Sequence, residues 1–476
     1  MPQPSNQILT VAQMRDAEEA LIAAGSSVDA LMQVAGRGAA EWVWRVAAGR
    51  RVTVLCGPGN NGGDGYVIAE ALRARGGPVQ VIAAMEPKTA AARNARALYG
   101  GAVLGPDADP QGDVLVDCLF GSGLTRRLGD DFCALLTRLA GNHAYRIAID
   151  LPSGVESDSG AILDEDPPED PFFIYQLPQY HLTLALGAWK FAHYLMPASA
   201  QMGVVRLVDI GVDAVPGAAE VLARPSFSVP EAYAQKYRRG LLAVIGGAMP
   251  GAALLACRAA QGAGAGYVRL LGKSPAIVPP DVVLDSQWLP DAPYDRRISA
   301  LLVGPGLGRD DNAELELRSV IYNSVCAVLD ADALMLLKPP MPQRTWVRLV
   351  ATPHEGELAA LEKSFGLSGA GTKVDRARAL AAASDMVIVA KGPDTVIAAP
   401  DGRCVLAPRA SSWLSTAGTG DVLAGIIASR LALRMDCFTA AAQGVWLHGE
   451  AARRAGAAFS AAELAAEVRH AYAACL

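Results

Sequence analysis

Short apolar runs alternate along this chain with longer, Ala-rich stretches that have helical spacing. The runs fall at residues 52–55, 79–82, 114–116 and 147–149 in the first half. In the second half they fall at 241–245, 301–303, 328–329 and 386–389. Each is nearly continuous in Val, Ile and Leu, the pattern of strands buried on both faces. Strands separated by helix-length segments predict βαβ units and a parallel sheet, so the fold class is α/β. The rhythm lapses between about Gly211 and Gly240, in a stretch with three prolines. Two domains are therefore expected, at 1–213 and 235–476, joined by a linker at 214–234. The acidic, Pro-rich patch at 164–171 interrupts the first half and reads as a solvated surface loop.

Composition narrows the function classes. Hydrophobic residues are 51% of the 476 and charged residues 19%, which is a folding composition. A net charge of −6 argues against a general grip on nucleic acid, so no nucleic-acid partner is expected. No apolar stretch reaches the roughly 18 residues a membrane span needs, and no signal peptide is expected at the start. The eight cysteines are scattered without a CxxC pair, which predicts reduced thiols and a cytoplasmic protein.

Ligands on parallel sheets bind beyond the carboxyl ends of the strands, so the residues after each apolar run carry the chemistry. After residue 56 comes Gly57-Pro58-Gly59-Asn60-Asn61-Gly62-Gly63-Asp64-Gly65, followed by a predicted helix. Glycines let backbone N–H groups approach a ligand closely, and a helix start favours an anion. The motif is neither GxGxxG nor GxxxxGK[ST]. Two further strand ends repeat the theme. Asp117 is followed by Gly121-Ser122-Gly123-Leu124-Thr125-Arg126-Arg127, and Asp150 by Leu151-Pro152-Ser153-Gly154. Asn61, Asp117 and Ser153 offer oxygen ligands only, which suits a hard cation.

The segments GPGNNGGDGYVIAE, DCLFGSGLTRR and IAIDLPSGV resemble the NAD(P)H-hydrate epimerases, over about residues 8–212. Those enzymes interconvert the R and S hydrates of NADH and NADPH on a Rossmann-like three-layer sandwich. The resemblance implies that Asn60, Asn61, Gly62, Gly63, Asp64 and Gly121 through Arg127 hold the hydrate. It implies K⁺ at Asn61, Asp117 and Ser153, and Asp150 as the acid/base residue. An Asp of reference pKa about 3.9 is expected to need raising by burial if it is to donate a proton near neutrality. The chain departs from the family at Tyr180-His181-Leu182-Thr183, where Ala-Asp-x-Thr is usual. His181 reads as a packing or capping residue.

In the second half, Gly418-Thr419-Gly420-Asp421 opens a helix. Backbone N–H groups beside one carboxylate can deprotonate a hydroxyl while stabilising a transferred phosphate. Lys391-Gly392-Pro393-Asp394-Thr395 follows another strand and can meet a nucleotide phosphate. With VGPGLG, LDADAL and TPHEGEL, these segments resemble the ribokinase-like ADP/ATP-dependent NAD(P)H-hydrate dehydratases, over about residues 235–470. The resemblance implies phosphorylation of the S-hydrate hydroxyl by ADP or ATP with Mg²⁺, then phosphate elimination. It implies substrate contacts at Ala252, Gly306, His354 and Asp421, and nucleotide contacts at Lys391, Gly392, Pro393, Asp394, Thr395 and Gly420. Asp421 would be the base. The stretch 410–417, with Trp413, replaces one that usually carries Gly-Asn and a Gly pair.

An epimerase fused to a dehydratase is coherent, because one half makes the epimer that the other consumes. NADHX and NADPHX are then the substrates, ADP or ATP the co-substrate, and a homo-oligomer is expected by resemblance. Two alternatives are a small-molecule kinase of the ribokinase type, and a non-catalytic nucleotide-binding regulator in one half.

Overall fold

The computed structural model describes residues 4–163, 177–272, 278–286, 295–323, 326–341 and 348–476. The acidic patch at 164–171 lies outside them. The chain forms two compact units, Met1–Glu220 and Val221–Leu476.

The first unit begins with a short strand, β1 (Gln7–Ile8), and two helices, α1 (Val11–Ala23) and α2 (Val28–Ala47). Next come β2 (Val52–Cys56), α3 (Asn60–Ala74), β3 (Val79–Ala83), α4 (Ala90–Leu98) and β4 (Val103–Leu104). They are followed by β5 (Gly112–Cys118), α5 (Asp130–Gly141), β6 (His143–Ile149), β7 (Leu182–Leu186) and β8 (Val204–Val208). The main sheet runs β4-β3-β2-β5-β6-β7-β8, and every pair in it is parallel. The period of two along each strand creates the layers. Val54, Val116 and Ile147 face a core shared with α2 and α3. Leu55, Ile82 and Leu115 face the opposite way, onto Leu135, Leu136 and Leu139 of α5. The stretch read as a linker contains one strand, β9 (Ala219–Val221), whose Glu220 and Ala219 pair antiparallel with Gln7 and Ile8 of β1. Three residues of backbone pairing gave no run long enough to register as a strand in the sequence.

The second unit contains β10 (Leu241–Ile245), α6 (Pro250–Gly262), β11 (Tyr267–Leu271), β12 (Val283–Asp285) and β13 (Ile298–Val303). Its middle holds α7 (Asp311–Asn323), β14 (Cys326–Leu329), α8 (Asp332–Leu336), β15 (Arg348–Ala351), α9 (Glu355–Ser364), α10 (Lys373–Ser384) and β16 (Val387–Ala390). It ends with β17 (Val396–Ala398), β18 (Cys404–Leu406), α11 (Thr419–Ala432), α12 (Cys437–Ala455) and α13 (Ala461–Ala473). Here the order is β18-β17-β16-β15-β14-β13-β10-β11-β12. It is parallel as far as β16 and antiparallel from β16 to β18. Helix α11 packs on α6 so closely that a Cβ on Gly425 would stand 2.2 Å from the carbonyl oxygen of Ala256.

Each parallel sheet reverses its winding once, between β2 and β5 and between β10 and β13. Those crevices are where such sheets bind ligands. Among the described residues no helix is long and apolar enough to cross a membrane. Seven of the eight cysteines are buried thiols, and Cys133 is half-buried.

Candidate active sites

In the first unit, the loops after β2, β5 and β6 converge at the switch point. Backbone crowding explains the glycines there. A Cβ on Gly57 would lie 1.7 Å from the Leu119 carbonyl oxygen, and one on Gly62 would lie 1.9 Å from that of Gly57. Asn60 through Asp64 form the start of α3, whose N-cap, Gly59, makes no side-chain capping bond. Asn60 is exposed, whereas Gly62, Gly63 and Asp64 are buried. Gly121 sits between the two other loops. A Cβ built on it would be 3.3 Å from Cγ of Asn61 and 3.4 Å from Oδ2 of Asp150. Leu124 is buried beneath the loop, while Gly123, Thr125, Arg126 and Arg127 are exposed, and Arg127 pairs with Asp130 at 3.0 Å.

Asp150 sits in the left-handed region, with φ +64°. Its Oδ1 accepts bonds from Nζ of Lys190 at 2.6 Å and from the Leu186 N–H at 3.2 Å; its Oδ2 accepts one from the Ser122 N–H at 3.3 Å. Both members of the ion pair are buried. Burial alone pushes the Asp150 carboxyl up, but the Lys190 ammonium and its hydrogen bond outweigh that and hold it below its usual value. This corrects the expectation of a raised Asp150: the residue is an ionised carboxylate. Asp64 is pushed well up, by burial and then by the charges of Asp150 and Glu18; burial also raises Asp117 and Glu18. Behind the pair, His193 accepts the Lys190 N–H at Nδ1 (2.9 Å) and donates from Nε2 to the Asp150 carbonyl (2.8 Å). Burial lowers its pKa to about 4, so it is neutral.

Asp117 and Ser153 meet directly. Ser153 donates its hydroxyl to Asp117 Oδ1 at 2.7 Å and its N–H to Oδ2 at 3.1 Å. Leu119 N–H and the Tyr180 hydroxyl complete the shell, at 3.0 and 2.5 Å. The side-chain amide of Asn61 is buried and makes no hydrogen bond to the protein. An orphaned buried amide calls for a partner. The oxygen-only donor set of Asn61, Ser153 and Asp117 fits a hard monovalent cation. His181 is a packing residue, stacked on Tyr145 at 4.4 Å and accepting the Arg146 N–H.

In the second unit, the loops after β10 and β13 touch. Met249 donates its N–H to the Gly306 carbonyl at 2.8 Å, and Gly306, at φ +63°, leaves no room for a Cβ against the Met249 carbonyl. Ala252 stands in the first turn of α6, beside this crossing. Asp421 lies in the first turn of α11. Burial, then the charge of Asp330, raises its pKa to about 6, against the opposing pull of Lys391. A Cβ on Gly420 would be 3.5 Å from Nζ of Lys391. That Nζ pairs with Asp330 at 2.8 Å and lies 3.8 Å from Glu357. Thr352 donates to the same Asp330 oxygen at 2.7 Å. Lys391 is thus the centre of a carboxylate cluster, with its charge secured before any phosphate arrives.

The remaining residues divide. His354 caps α9 through Nδ1, which accepts the N–H groups of Gly356 and Glu357; it is exposed, so it is no core histidine. Gly392, Pro393 and Thr395 form an exposed or half-exposed turn in which Thr395 donates to the Gly392 carbonyl. Asp394 turns inward and pairs with Lys373 at 2.6 Å. Trp413 lies in a single 3₁₀ turn and is 48% exposed, so it does not fill the site. Lys190, His193, Asp330, Glu357 and Lys373 were not singled out from sequence. A lone Lys inside the apolar run 182–195 was the available signal for Lys190, since a buried lysine demands an anion.

Each of the two parallel α/β units carries a buried carboxylate–lysine pair beyond the carboxyl ends of its strands. Residues 28–191 match the family model described as the YjeF-related protein N-terminus, and residues 242–472 match that described as NAD(P)H-hydrate dehydratase. The bifunctional NAD(P)H-hydrate repair enzyme Nnr of Salinibacter ruber is 34% identical, over 90% of this chain and 88% of its own length. That of Thermosynechococcus vestitus is 31% identical, over 94% and 93%. The Bacillus subtilis ADP/ATP-dependent NAD(P)H-hydrate dehydratase co-crystallised with ATP/Mg²⁺ is 29% identical, covers 53% of this chain and 95% of its own, and superposes with a TM-score of 0.47. The chain belongs to the family of bifunctional NAD(P)H-hydrate repair enzymes.

Proposed function

We propose that this chain repairs hydrated NADH and NADPH, with an epimerase in residues 1–213 and a dehydratase in 235–476, joined through 214–234. The observation that carries the reading is one chain with both family halves, each with a buried carboxylate–lysine pair beyond the carboxyl ends of its strands.

In the first half, two carboxyls are pushed apart in pKa, the usual mark of separate acid and base roles. We assign protonated Asp64 as donor to the hydroxyl on the hydrated ring carbon. The C–O bond breaks, water leaves, and the ring nitrogen shares the positive charge. Water then adds to the other face and gives its proton to ionised Asp150; that proton returns to Asp64 through solvent, which restores both carboxyls and balances atoms and charge over the cycle. Lys190 keeps Asp150 ionised, and His193 holds both in register. K⁺ would be held at Asn61 and Ser153, with Asp117 behind them as anchor. When bound, it would supply an electrostatic contact to the hydrate.

In the second half, Asp421 would take the proton from the S-hydrate hydroxyl as phosphate transfers. The N–H groups at the start of α11 and Lys391 face the transferred charge. Ala252, Gly306 and His354 would contact the hydrate; Lys391–Thr395 and Gly420 would contact the nucleotide. The carboxylates here turn to Lys391, so Mg²⁺ would arrive on the phosphates and keep waters as its other ligands. ADP is the nucleotide we assign by resemblance, the cytoplasm the compartment, and a homo-oligomer the assembly.

The test is recovery of near-ultraviolet NADH absorbance from mixed R and S hydrate, with ADP, Mg²⁺ and K⁺. Complete, nucleotide-dependent recovery is expected. Recovery that stops at the S fraction would remove the epimerase assignment, and none with either nucleotide would remove the dehydratase.

A further inference from the structure

A cavity of about 500 Å³ opens in the second unit at the amino ends of β10, β13, β14 and β15, opposite the switch-point loops. Five arginines line it: Arg238, Arg296, Arg297, Arg348 and Arg434. Among the described residues no acidic residue does. Arg297 is neutralised by Asp295 at 2.7 Å and donates to the Tyr237 hydroxyl at 3.0 Å. Arg238 lies over the Tyr233 ring. Arg296 and Arg434 have no carboxylate partner among the described residues. The chain as a whole is acidic, at −6, so five guanidinium groups around one space are not a general surface property. Arg297 has its counter-ion in Asp295; the other arginines, gathered on one cavity of this size, repel one another unless an anion joins them. The volume is that of a small-molecule site. Guanidinium groups fork onto phosphate oxygens in bidentate pairs, as ammonium groups do not.

We propose that this cavity is a second anion site, which binds a polyphosphate, free or carried on a nucleoside. The six residues of β13, at about 3.3 Å each, separate it by roughly 20 Å from the phosphate-facing loops. It is therefore distinct from the nucleotide site of the dehydratase.

Calorimetric titration of the full chain with tripolyphosphate tests this. Wild type is expected to bind, and R296A/R434A to bind at least about tenfold more weakly with an unchanged melting temperature. R453A/R454A, which removes two arginines from α12 outside the cavity, is expected to bind like wild type. The same titration with UTP separates the sources: tighter binding than tripolyphosphate, lost in R296A/R434A, identifies a nucleoside carrier, and equal binding identifies the free anion. Equal affinity of wild type and R296A/R434A overturns the proposal, because the anion then sits elsewhere, in the catalytic site included. Equal weakening by R453A/R454A also overturns it, because the effect is then diffuse charge. None of these readouts needs catalytic turnover, so failure of the repair activity leaves the test intact.

Discussion

Removing the Lys190 ammonium strands the Asp150 charge in a buried site. Lys190→Met is expected to cost about 3–5 kcal/mol of stability, the usual penalty for breaking a buried pair. It should also raise the Asp150 pKa and abolish epimerisation at neutral pH. Asp150→Asn/Lys190→Met restores neutrality, so it should recover stability without activity; chemical denaturation and hydrate assays separate the two. Asp421 gives the opposite sign. Its folded pKa, about 6, exceeds the unfolded value near 3.8. The folded chain therefore binds the proton more tightly, and that stability, present below about pH 4, is lost as pH rises through 6. Asp421→Asn should raise stability at pH 8 by about 1 kcal/mol after solvent screening, seen as a higher melting temperature, and leave it unchanged at pH 4. Dehydratase activity should disappear in that variant. In wild type it should fall off below pH 6 as the base is protonated.

At the scale of elements, glycine decides where backbones may meet. Ala is the better helix former, so Gly425→Ala ought to strengthen an isolated α11. In the protein its Cβ would meet the Ala256 carbonyl, so the substitution should force α11 and α6 apart. A loss of about 1–3 kcal/mol in urea denaturation is expected; a gain would mean that the two helices can slide. The glycines of 57–65 were legible from sequence because five in nine residues exceed what packing asks of a turn, and the structure meets Gly57 and Gly62 with backbone and Gly63 and Gly65 mainly with side chains. The strand-end rule brought out Asp117 and Asp150, and the Gly-Thr-Gly-Asp helix start brought out Asp421. Their charge states were not legible. Asp150 is lowered by a lysine forty residues along the chain, and Asp64 is raised by burial and then by Asp150, just after β6, and Glu18 on α1, surroundings that only the folded sheet creates. Lys391 was read as a phosphate contact, but its Asp330 partner comes from another strand end, so its engagement was invisible too. His448 belongs with these: buried on α12, it donates to the Thr419 carbonyl and braces the turn that carries Asp421.

For the whole molecule, two units with separate cores and separate sites predict separable defects. Asp150→Asn should leave consumption of pure S-hydrate within about twofold of wild type, while recovery from mixed hydrate slows to the spontaneous rate of epimer exchange. Asp421→Ala should still interconvert the epimers, followed by chromatography, and regenerate no NADH. Mixing the two variants should restore full recovery if the hydrate passes through solution.

The buried cysteines give each unit its own alarm. Burial drives the thiols of Cys56 and Cys118 up in the first unit, and those of Cys257 and Cys437 up to about 12 in the second. A thiol so placed is neither ionised nor reachable, and ionised thiols are the ones that oxidants and alkylating agents attack. An enzyme that mends damaged cofactor thus keeps these thiols out of reach of oxidants for as long as it stays folded. Once a unit opens, its thiols become reactive together. Mass-spectrometric counting of alkylated cysteines during heating will therefore time the unfolding of each half within one intact chain.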